Sequence, residues 1–224
     1  MSCHCQTPVG AERRISQCRD SSADFLDLSG LRLKQLPGTV RDLTHLRVLD
    51  LTNNSLSTLP DWLAELGLLC EICVNGNPLR VIPRSLAGLP RLTGLHVSRC
   101  PGIGEDDGIG GLPHLRTLMM EQTGLSQLPE WLRGLRGLTN LSLGSNALRA
   151  LPEWIGALNQ LEGLWLEQNR LRSLPPSLRN LPRLRVLQID GNPDLHIPAH
   201  IAASMDPDMI LDTYFRSHSL PANI

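Results

Sequence analysis

Residues 43–66 read LTHLRVLDLTNNSLSTLPDWLAEL, and residues 158–181 read LNQLEGLWLEQNRLRSLPPSLRNL. Both segments place leucine at the same positions, followed by one fixed asparagine and a Leu-Pro pair. The shared pattern, L-x-x-L-x-x-L-x-L-x-x-N-x-L-x-x-L-P-x-x-L, returns every 23 residues across about residues 25–204. Eight copies of one short unit predict a chain that folds by stacking the same supersecondary element on itself.

The pattern within each unit predicts its local structure. The alternating L-x-L has the period of a β-strand, so its leucines point to one side. The Leu-Pro pair ends strand pairing, because proline has no N–H to donate, and it begins a helical or irregular return segment. The asparagine position can donate and accept hydrogen bonds where the chain leaves the strand. We expect a structural ladder at this position, formed by Asn54, Asn77, Cys100, Thr123, Asn146, Asn169 and Asn192.

The composition fits this unit and excludes several functional classes. Leucine provides 45 of the 224 residues, whereas tryptophan, phenylalanine and tyrosine provide four, two and one. With a net charge of −1 and so few aromatic rings, the chain offers little to phosphates or stacked bases, and we expect no nucleic-acid partner. The only lysine, Lys34, is followed by Gln35, so the sequence has no phosphate-binding P-loop. Patterns of hydrolases and zinc proteases are absent too. We therefore predict a non-catalytic protein with no cofactor and no small-molecule substrate.

The repeat can now be compared with known families. The 23-residue unit with Leu-Pro resembles the Ras-group leucine-rich repeats of intracellular signalling proteins. AERRISQCRDSSADFLDLSGLRLKQLP, residues 11–37, resembles the start of the repeat domain that precedes the GTPase in Roco proteins, and NPDLHIPAHIAASMDPDMILDTYF, residues 192–215, resembles its end. The resemblance implies a signalling module that binds another protein, without the activity of the GTPase, whose sequence is not present. The repeats also resemble those of leucine-rich type III effectors of bacterial pathogens.

The predicted architecture follows from the repeats and the two ends of the chain. We expect an α/β leucine-rich-repeat solenoid, curved, with a parallel sheet on its concave face. Solenoid ends expose core, so both should carry helical caps. The predicted segments are a mobile tail at 1–10, an N-terminal cap at 11–24, eight repeats at 25–204, a capping helix at 205–217 and a tail at 218–224.

No segment has the length and apolar character of a signal peptide or a membrane span. We therefore expect a cytoplasmic protein with free cysteine thiols and no membrane contact. Its predicted function is that of a scaffold in signal transduction, which binds a partner protein on the concave strand face. Two alternatives stay open: an effector secreted into a host cell, and a regulatory subunit of a GTPase or kinase system.

The predicted binding site lies on the strand face, where the residues four, two and one positions before the asparagine project. These positions hold five acids against one arginine, which predicts a mildly acidic face. We expect Trp165 and Met119 to be exposed there, on either side of a shallow dip floored by small residues. Such a dip would accept an apolar side chain, with a neighbouring cation paired by acids. The candidate residues are His96, Arg99, Met119, Glu121, Gln122, Ser142, Trp165, Glu167 and Gln168.

The remaining tryptophans and the cysteines are interpreted differently. Trp62, Trp131 and Trp154 each stand two residues after a Leu-Pro proline, so they are predicted to pack on the return segments. Zinc needs converging ligands. Cys73 and His96 are expected on adjacent strands, but the sequence shows no further pair to complete a site, so no metal site is predicted. The ligand-rich Cys3-His4-Cys5 segment leaves zinc binding at the N-terminus an open alternative.

Overall fold

The computed structural model describes residues 9–105 and 108–218. The chain divides into two compact units, Met1–Leu115 (unit 1) and Arg116–Ile224 (unit 2). Each unit contains four of the predicted repeats, and each repeat contributes one three-residue strand. None of the helices in the described part is both long and apolar enough to cross a membrane.

Unit 1 contains one α-helix and four parallel strands that pair in chain order. Its elements are α1 Val9–Ser21, β1 Phe25–Asp27, β2 Val48–Asp50, β3 Glu71–Cys73 and β4 Gly94–His96. The register keeps the 23-residue period, so that Leu26 lies opposite Leu49 and Ile72 lies opposite Leu95. These middle residues are all buried, which places the core on one side of the strands.

Helix α1 covers the outer edge of β1. Its inner face is formed by Ala11, Ile15 and Cys18, which are buried. Arg14 donates from Nη1 to the carbonyl oxygen of Asp27 at 3.0 Å, so a side chain satisfies an acceptor that no further strand reaches. The helix starts at Val9, two residues before the predicted cap, and residues 1–8 lie outside the described part of the chain.

Unit 2 repeats the arrangement with four parallel strands and two α-helices. Its elements are β5 Thr117–Met119, β6 Asn140–Ser142, β7 Gly163–Trp165, β8 Val186–Gln188, α2 Ala199–Ala202 and α3 Pro207–His218. The predicted architecture of eight parallel strands with short helical returns and helical caps is confirmed.

Helix α3 covers the core at the end of unit 2. It is capped by Asp206, whose Oδ1 accepts hydrogen bonds from the N–H groups of residues 208 and 209. Its buried face contains Ile210, Leu211 and Tyr214, and the Tyr214 hydroxyl accepts a hydrogen bond from the N–H of Leu174 at 3.1 Å. Met209 lies outside this face and is 45% exposed. Residues 219–224 lie outside the described part.

Short 3₁₀ helices form most of the return segments. Six of them follow directly after a proline, whose fixed φ leads into the turn, and this proline is preceded by leucine in five cases and by Ile82 in the third: Gly38–Asp42, Asp61–Glu65, Arg84–Gly88, Glu130–Gly134, Glu153–Ala157 and Pro176–Asn180. Trp62, Trp131 and Trp154 are the second residue of three of these helices, and all are half-buried. Trp154 donates from Nε1 to Glu130 Oε1 at 3.2 Å, which links two neighbouring repeats.

The asparagine position joins successive repeats through backbone hydrogen bonds. In unit 1, Asn77 is 2% exposed, donates from Nδ2 to the carbonyls of Leu51 and Val74 at 2.9 Å each, and accepts from Leu56 N–H at 2.9 Å. In unit 2, Asn169 makes the equivalent three bonds. Cys100 and Thr123 replace asparagine at this position, and each donates a hydrogen bond to a backbone carbonyl, that of Val74 and that of Met120 respectively. The position therefore satisfies buried backbone groups within each unit.

The residue before the asparagine position has left-handed backbone in all eight repeats. Its φ lies between 53° and 73°, and the residues are Gly30, Asn53, Gly76, Arg99, Gln122, Ser145, Gln168 and Gly191. Glycine adopts this conformation without steric cost, whereas other residues are strained in it. Three candidate binding residues, Arg99, Gln122 and Gln168, therefore stand at a bend that the fold imposes on every repeat.

Candidate functional site

The strand face is defined as the side chains that project from the first and third strand residues and from the residue two positions beyond the strand. The middle strand residues are buried in the core, so these alternate side chains point away from it. The candidate residues predicted from the sequence include third strand residues but no first ones. The first strand position holds a carboxylate at Glu71 and glycines at Gly94 and Gly163.

In unit 1, three potential ligand groups converge on the strand face. Glu71 Oε1 lies 3.4 Å from His96 Nε2 and accepts a hydrogen bond from Cys73 Sγ at 3.5 Å. One ligand atom from each of the three residues lies within 4.8 Å of the others, and all three side chains are half-buried. The sequence paired Cys73 with His96 but missed Glu71. Its position two residues before Cys73, on the same side of a strand, could have revealed it.

The absence of a side chain at Gly94 lets Glu71 reach this position. Gly94 is the register partner of Glu71 on the next strand, and a β-carbon there would lie 3.0 Å from Glu71 Cγ. The Glu71 side chain therefore extends across β4 toward His96. Burial raises the pKa of the Cys73 thiol to about 12, and the nearby carboxylates of Glu71 and Asp50 add to this effect. The cluster thus holds a protonated thiol in a negative environment.

Arg99 lies beyond β4 in unit 1, on an exposed bend. Its Nη2 donates to Asn53 Oδ1 at 3.3 Å, across the intervening Gly76. An added β-carbon at Gly76 would lie 2.5 Å from that same oxygen, so the glycine makes the contact possible. Arg99 is accessible for binding, but part of its guanidinium is already used within the unit.

In unit 2, Trp165 is half-buried rather than exposed, which corrects the sequence-based expectation. Its indole folds back along its own strand and lies over Gly163, where an added β-carbon would overlap the six-membered ring. The glycine therefore provides a flat seat for the indole. One side of Trp165 contacts the strand, and the side chain presents only part of its surface for binding.

The predicted dip around Ser142 is occupied by the chain's own carboxylates. Ser142 is 3% exposed, and its hydroxyl donates to Glu121 Oε1 at 2.6 Å. The carboxylate of Glu167 lies over Gly144, where an added β-carbon would overlap it. The expected floor of small residues is present, but Glu121 and Glu167 cover it. Met119 is half-buried at the end of β5.

Glu167 in unit 2 has a partly buried carboxyl group in a negatively charged environment. Its Oε2 is buried and has no hydrogen-bond partner among the described residues. Burial raises the pKa of this carboxyl, and repulsion from Glu121 and Asp190 raises it further. A buried carboxylate oxygen without a donor is unfavourable, so a rotation of the carboxyl that brings this atom to a cationic donor on another molecule would be stabilising.

Gln122 and Gln168, the other candidates in unit 2, are exposed at the left-handed bends. Gln168 leans over Gly191, where an added β-carbon would overlap its side-chain amide. Of the nine predicted binding residues, His96 and Arg99 therefore belong to unit 1 and the other seven to unit 2. The segment Cys3-His4-Cys5 lies outside the described residues.

Comparison with known proteins supports the fold. Residues 24–79 match the family model described as Leucine rich repeat. No curated protein matches the sequence. Among solved structures, a leucine-rich-repeat protein of Leptospira interrogans is 27% identical with a TM-score of 0.44, and the match covers 75% of this chain and 55% of that chain.

Two further structures are more similar by TM-score. The leucine-rich-repeat domain of the type III effector XopL is 26% identical with a TM-score of 0.50, covering 83% of this chain and 58% of that one. TLR13, solved in complex with a single-stranded RNA, is 27% identical with a TM-score of 0.67, covering 75% of this chain and 25% of that one. The chain thus spans between 25% and 58% of the length of these three proteins. The repeat pattern, the parallel strands and the similarity to the XopL and TLR13 structures together identify the fold as a leucine-rich-repeat solenoid.

Proposed function

We propose that the protein is a non-catalytic interaction module that binds a partner protein through the strand face of unit 2. The observation that supports this most is Glu167, whose buried Oε2 has no hydrogen-bond donor in the part of the chain that the structure describes. Leucine-rich-repeat proteins commonly bind other proteins on an extended surface of this kind. A donor supplied by the partner would remove the cost of the unsatisfied carboxylate at the moment of binding.

The chemistry around Glu167 defines the kind of partner. Trp165 offers the accessible part of a seated indole, Met119 adds an apolar side chain, and Glu121 and Asp190 add negative charge near Glu167. A guanidinium can stack on an indole and pair with a carboxylate at the same time. The proposed partner therefore presents an arginine flanked by apolar side chains. Gln122 and Gln168, which are exposed, would make the predicted contacts around this anchor, whereas Ser142 would act only through its hydrogen bond to Glu121.

The test compares Trp165→Ala with Trp154→Ala, a matched loss of tryptophan on a return segment of the same unit. Each protein would be immobilised, captured proteins identified, and the dissociation constant measured for the purified partner. Loss of a central aromatic anchor is expected to raise Kd about 30-fold, since such residues contribute about 2 kcal/mol. Trp154→Ala should leave Kd unchanged. A Kd for Trp165→Ala within threefold of the wild type would contradict the proposed site.

The pathway and compartment form part of the same proposal. We place the protein in the cytoplasm, in signalling or regulation, as the Ras-group and Roco-like features of the repeats suggest. Buried Cys18 and Cys100 support a reducing compartment, because both act as thiol donors to backbone carbonyls. In this reading the partner belongs to a GTPase or kinase system.

A second candidate function is that of an effector acting inside a host cell. The similarity to the repeat domain of the type III effector XopL favours it. Identification of the captured partner separates the two candidates, since an effector should bind a host protein and a regulator a protein of its own cell. RNA binding, suggested by the TLR13 complex, is disfavoured by the acids Glu121, Glu167 and Asp190 and would appear as binding that weakens steeply with salt.

A further inference from the structure

The cluster of Glu71, Cys73 and His96 in unit 1 has the composition of a transition-metal site. We propose that these three residues bind a divalent transition metal, with Zn²⁺ as the preferred ion. The Cys73 thiolate, the His96 imidazole and the Glu71 carboxylate would be the protein ligands, and a fourth position would stay open to water or another donor. This site is independent of the proposed partner-binding surface in unit 2.

The distances between the ligand atoms fit a tetrahedral ion. Zinc bonds of about 2.0–2.3 Å place the ligand atoms of a tetrahedral site about 3.3–3.6 Å apart. Glu71 Oε1 lies 3.4 Å from His96 Nε2 and 3.5 Å from Cys73 Sγ. The remaining pair, Cys73 Sγ and His96, lies within 4.8 Å, so a side-chain rotation of the order of 1 Å would complete the geometry.

The fold preorganises all three ligands on rigid elements. Glu71 and Cys73 are the first and third residues of β3 and share one side of it, and the parallel register places Cys73 opposite His96 on β4. Gly94 leaves room for the Glu71 side chain to cross β4. Sites built on paired strands hold their ligands more precisely than sites on loops.

The donor set selects the class of metal. A thiolate and an imidazole favour zinc, copper, nickel or cobalt, whereas calcium and magnesium prefer oxygen ligands only. The thiolate and the carboxylate together neutralise the charge of a divalent ion. Asp50, the register partner of Cys73 on β2, adds a further negative charge near the thiol. The negative charges of Glu71 and Asp50 therefore favour a cation at this position.

The test is a titration of the full chain, stripped with a chelator, with Co²⁺ and then with Zn²⁺ as competitor. Co²⁺ bound by a thiolate gives charge-transfer absorption, and tetrahedral coordination gives strong visible bands. We expect one equivalent of Co²⁺, displaced by one equivalent of Zn²⁺. Cys73→Ser should remove the charge-transfer absorption, and Glu71→Gln and His96→Gln should each weaken binding at least about 100-fold, which exceeds the loss typical of outer-shell changes.

Two controls locate the site. Cys70→Ser removes a neighbouring thiol that donates to the Leu68 carbonyl instead, and it should leave the spectrum unchanged. The Cys3→Ser, Cys5→Ser double variant tests the N-terminal cysteines and should also bind one equivalent. The absence of any cobalt spectrum in the wild type would overturn the proposal. So would a spectrum that survives in Cys73→Ser but is lost in the Cys3, Cys5 double variant.

A second measurement covers variants that fold poorly. Zn²⁺ bound only by the folded state raises the melting temperature, and at a given Zn²⁺ concentration the rise grows with the logarithm of the affinity. We expect Zn²⁺ to raise Tm for the wild type and for Cys70→Ser, but not for Glu71→Gln or His96→Gln. An equal zinc-dependent rise in Tm for the wild type and both ligand variants would contradict the site.

Discussion

The strand faces of the two units use glycine in the same way and reach different chemical results. In unit 1 the missing side chain of Gly94 lets Glu71 cross to a neighbouring strand, where it meets a histidine and a thiol. In unit 2 the missing side chain of Gly144 lets Glu167 lie flat, but its Oε2 meets no donor among the described residues. The same backbone frame thus produces a self-complementary cluster in one unit and an unsatisfied carboxylate in the other.

The repeat therefore determines where side chains lie on the strand face, whereas the residue types at those positions determine what each face can bind. A carboxylate with its own imidazole and thiol is suited to an ion that all three can share. A carboxylate surrounded by Glu121 and Asp190 is suited to a cation that arrives on another molecule. The two units share the asparagine position and differ in the surroundings of their strand-face carboxylates.

The largest expected effect concerns the frame that both units share. Asn77→Ala in unit 1 and Asn169→Ala in unit 2 each remove a buried amide and its three backbone hydrogen bonds. Each substitution should lower the free energy of unfolding by about 1–3 kcal/mol, because buried backbone groups lose their partners. Urea denaturation would measure both. An unchanged midpoint for either variant would show that the ladder is not needed in that unit.

Gly163 in unit 2 and Gly94 in unit 1 should differ in how well they tolerate substitution by alanine. Gly163→Ala places a β-carbon inside the ring of Trp165, whereas Gly94→Ala only brings one to 3.0 Å from a flexible Glu71 side chain. We expect Gly163→Ala to lower the free energy of unfolding by about 1–2 kcal/mol, as overpacking does, and Gly94→Ala to have a smaller effect. Denaturation curves compare the two. Equal losses would mean that the indole is not seated on Gly163.

The raised pKa of Glu167 makes the stability of unit 2 dependent on pH. A carboxyl with a folded-state pKa above its unfolded value of about 4.5 stabilises the fold below that pH, and this contribution is lost as pH rises through the folded-state pKa. Glu167→Gln should therefore raise the free energy of unfolding at pH 7 by about 1 kcal/mol. The advantage should shrink as pH falls through the folded-state pKa and be lost once pH is below about 4.5, where the carboxyl is protonated in both states. A difference that stays constant across this range would contradict the burial of the charge.

The smallest expected effect concerns the left-handed bends. Gln122 has a φ of 53°, and three repeats use glycine at the same position. Gln122→Gly relieves strain but adds freedom to the unfolded chain, so a net gain of about 0.5 kcal/mol is expected. Calorimetric Tm would detect it. A loss of stability would show that the glutamine side chain makes a stabilising contact in unit 2.

The sequence predicted the strands and the buried core far better than the arrangement of side chains on the strand face. The period of 23 and the L-x-L alternation specify the strands, their register and the buried leucines such as Leu49, because each unit repeats the same constraint. The caps were predicted less precisely, because each depends on features that occur only once in the chain: helix α1 begins at Val9, two residues before the predicted cap at 11–24.

The contacts on the strand face could not be predicted as well, because several of its side chains contact residues of a neighbouring repeat. An indole folded over Gly163 and a carboxylate folded over Gly144 depend on the space left by glycines. Gly163 and Glu71 are first strand residues, a position that the candidate residues did not include. Gly144 stands at a position that was considered, but its effect depends on Glu167 of the next repeat.

The most direct test of the contrast between the units is a Co²⁺ titration of Glu71→Gln and Glu167→Gln beside the wild type. Both variants remove a strand-face carboxylate, so they differ only in the surroundings of that group. We expect the Kd for Co²⁺ to rise at least about 100-fold in Glu71→Gln and to stay within twofold of wild type in Glu167→Gln. Equal losses in both variants, or unchanged binding in Glu71→Gln, would contradict it.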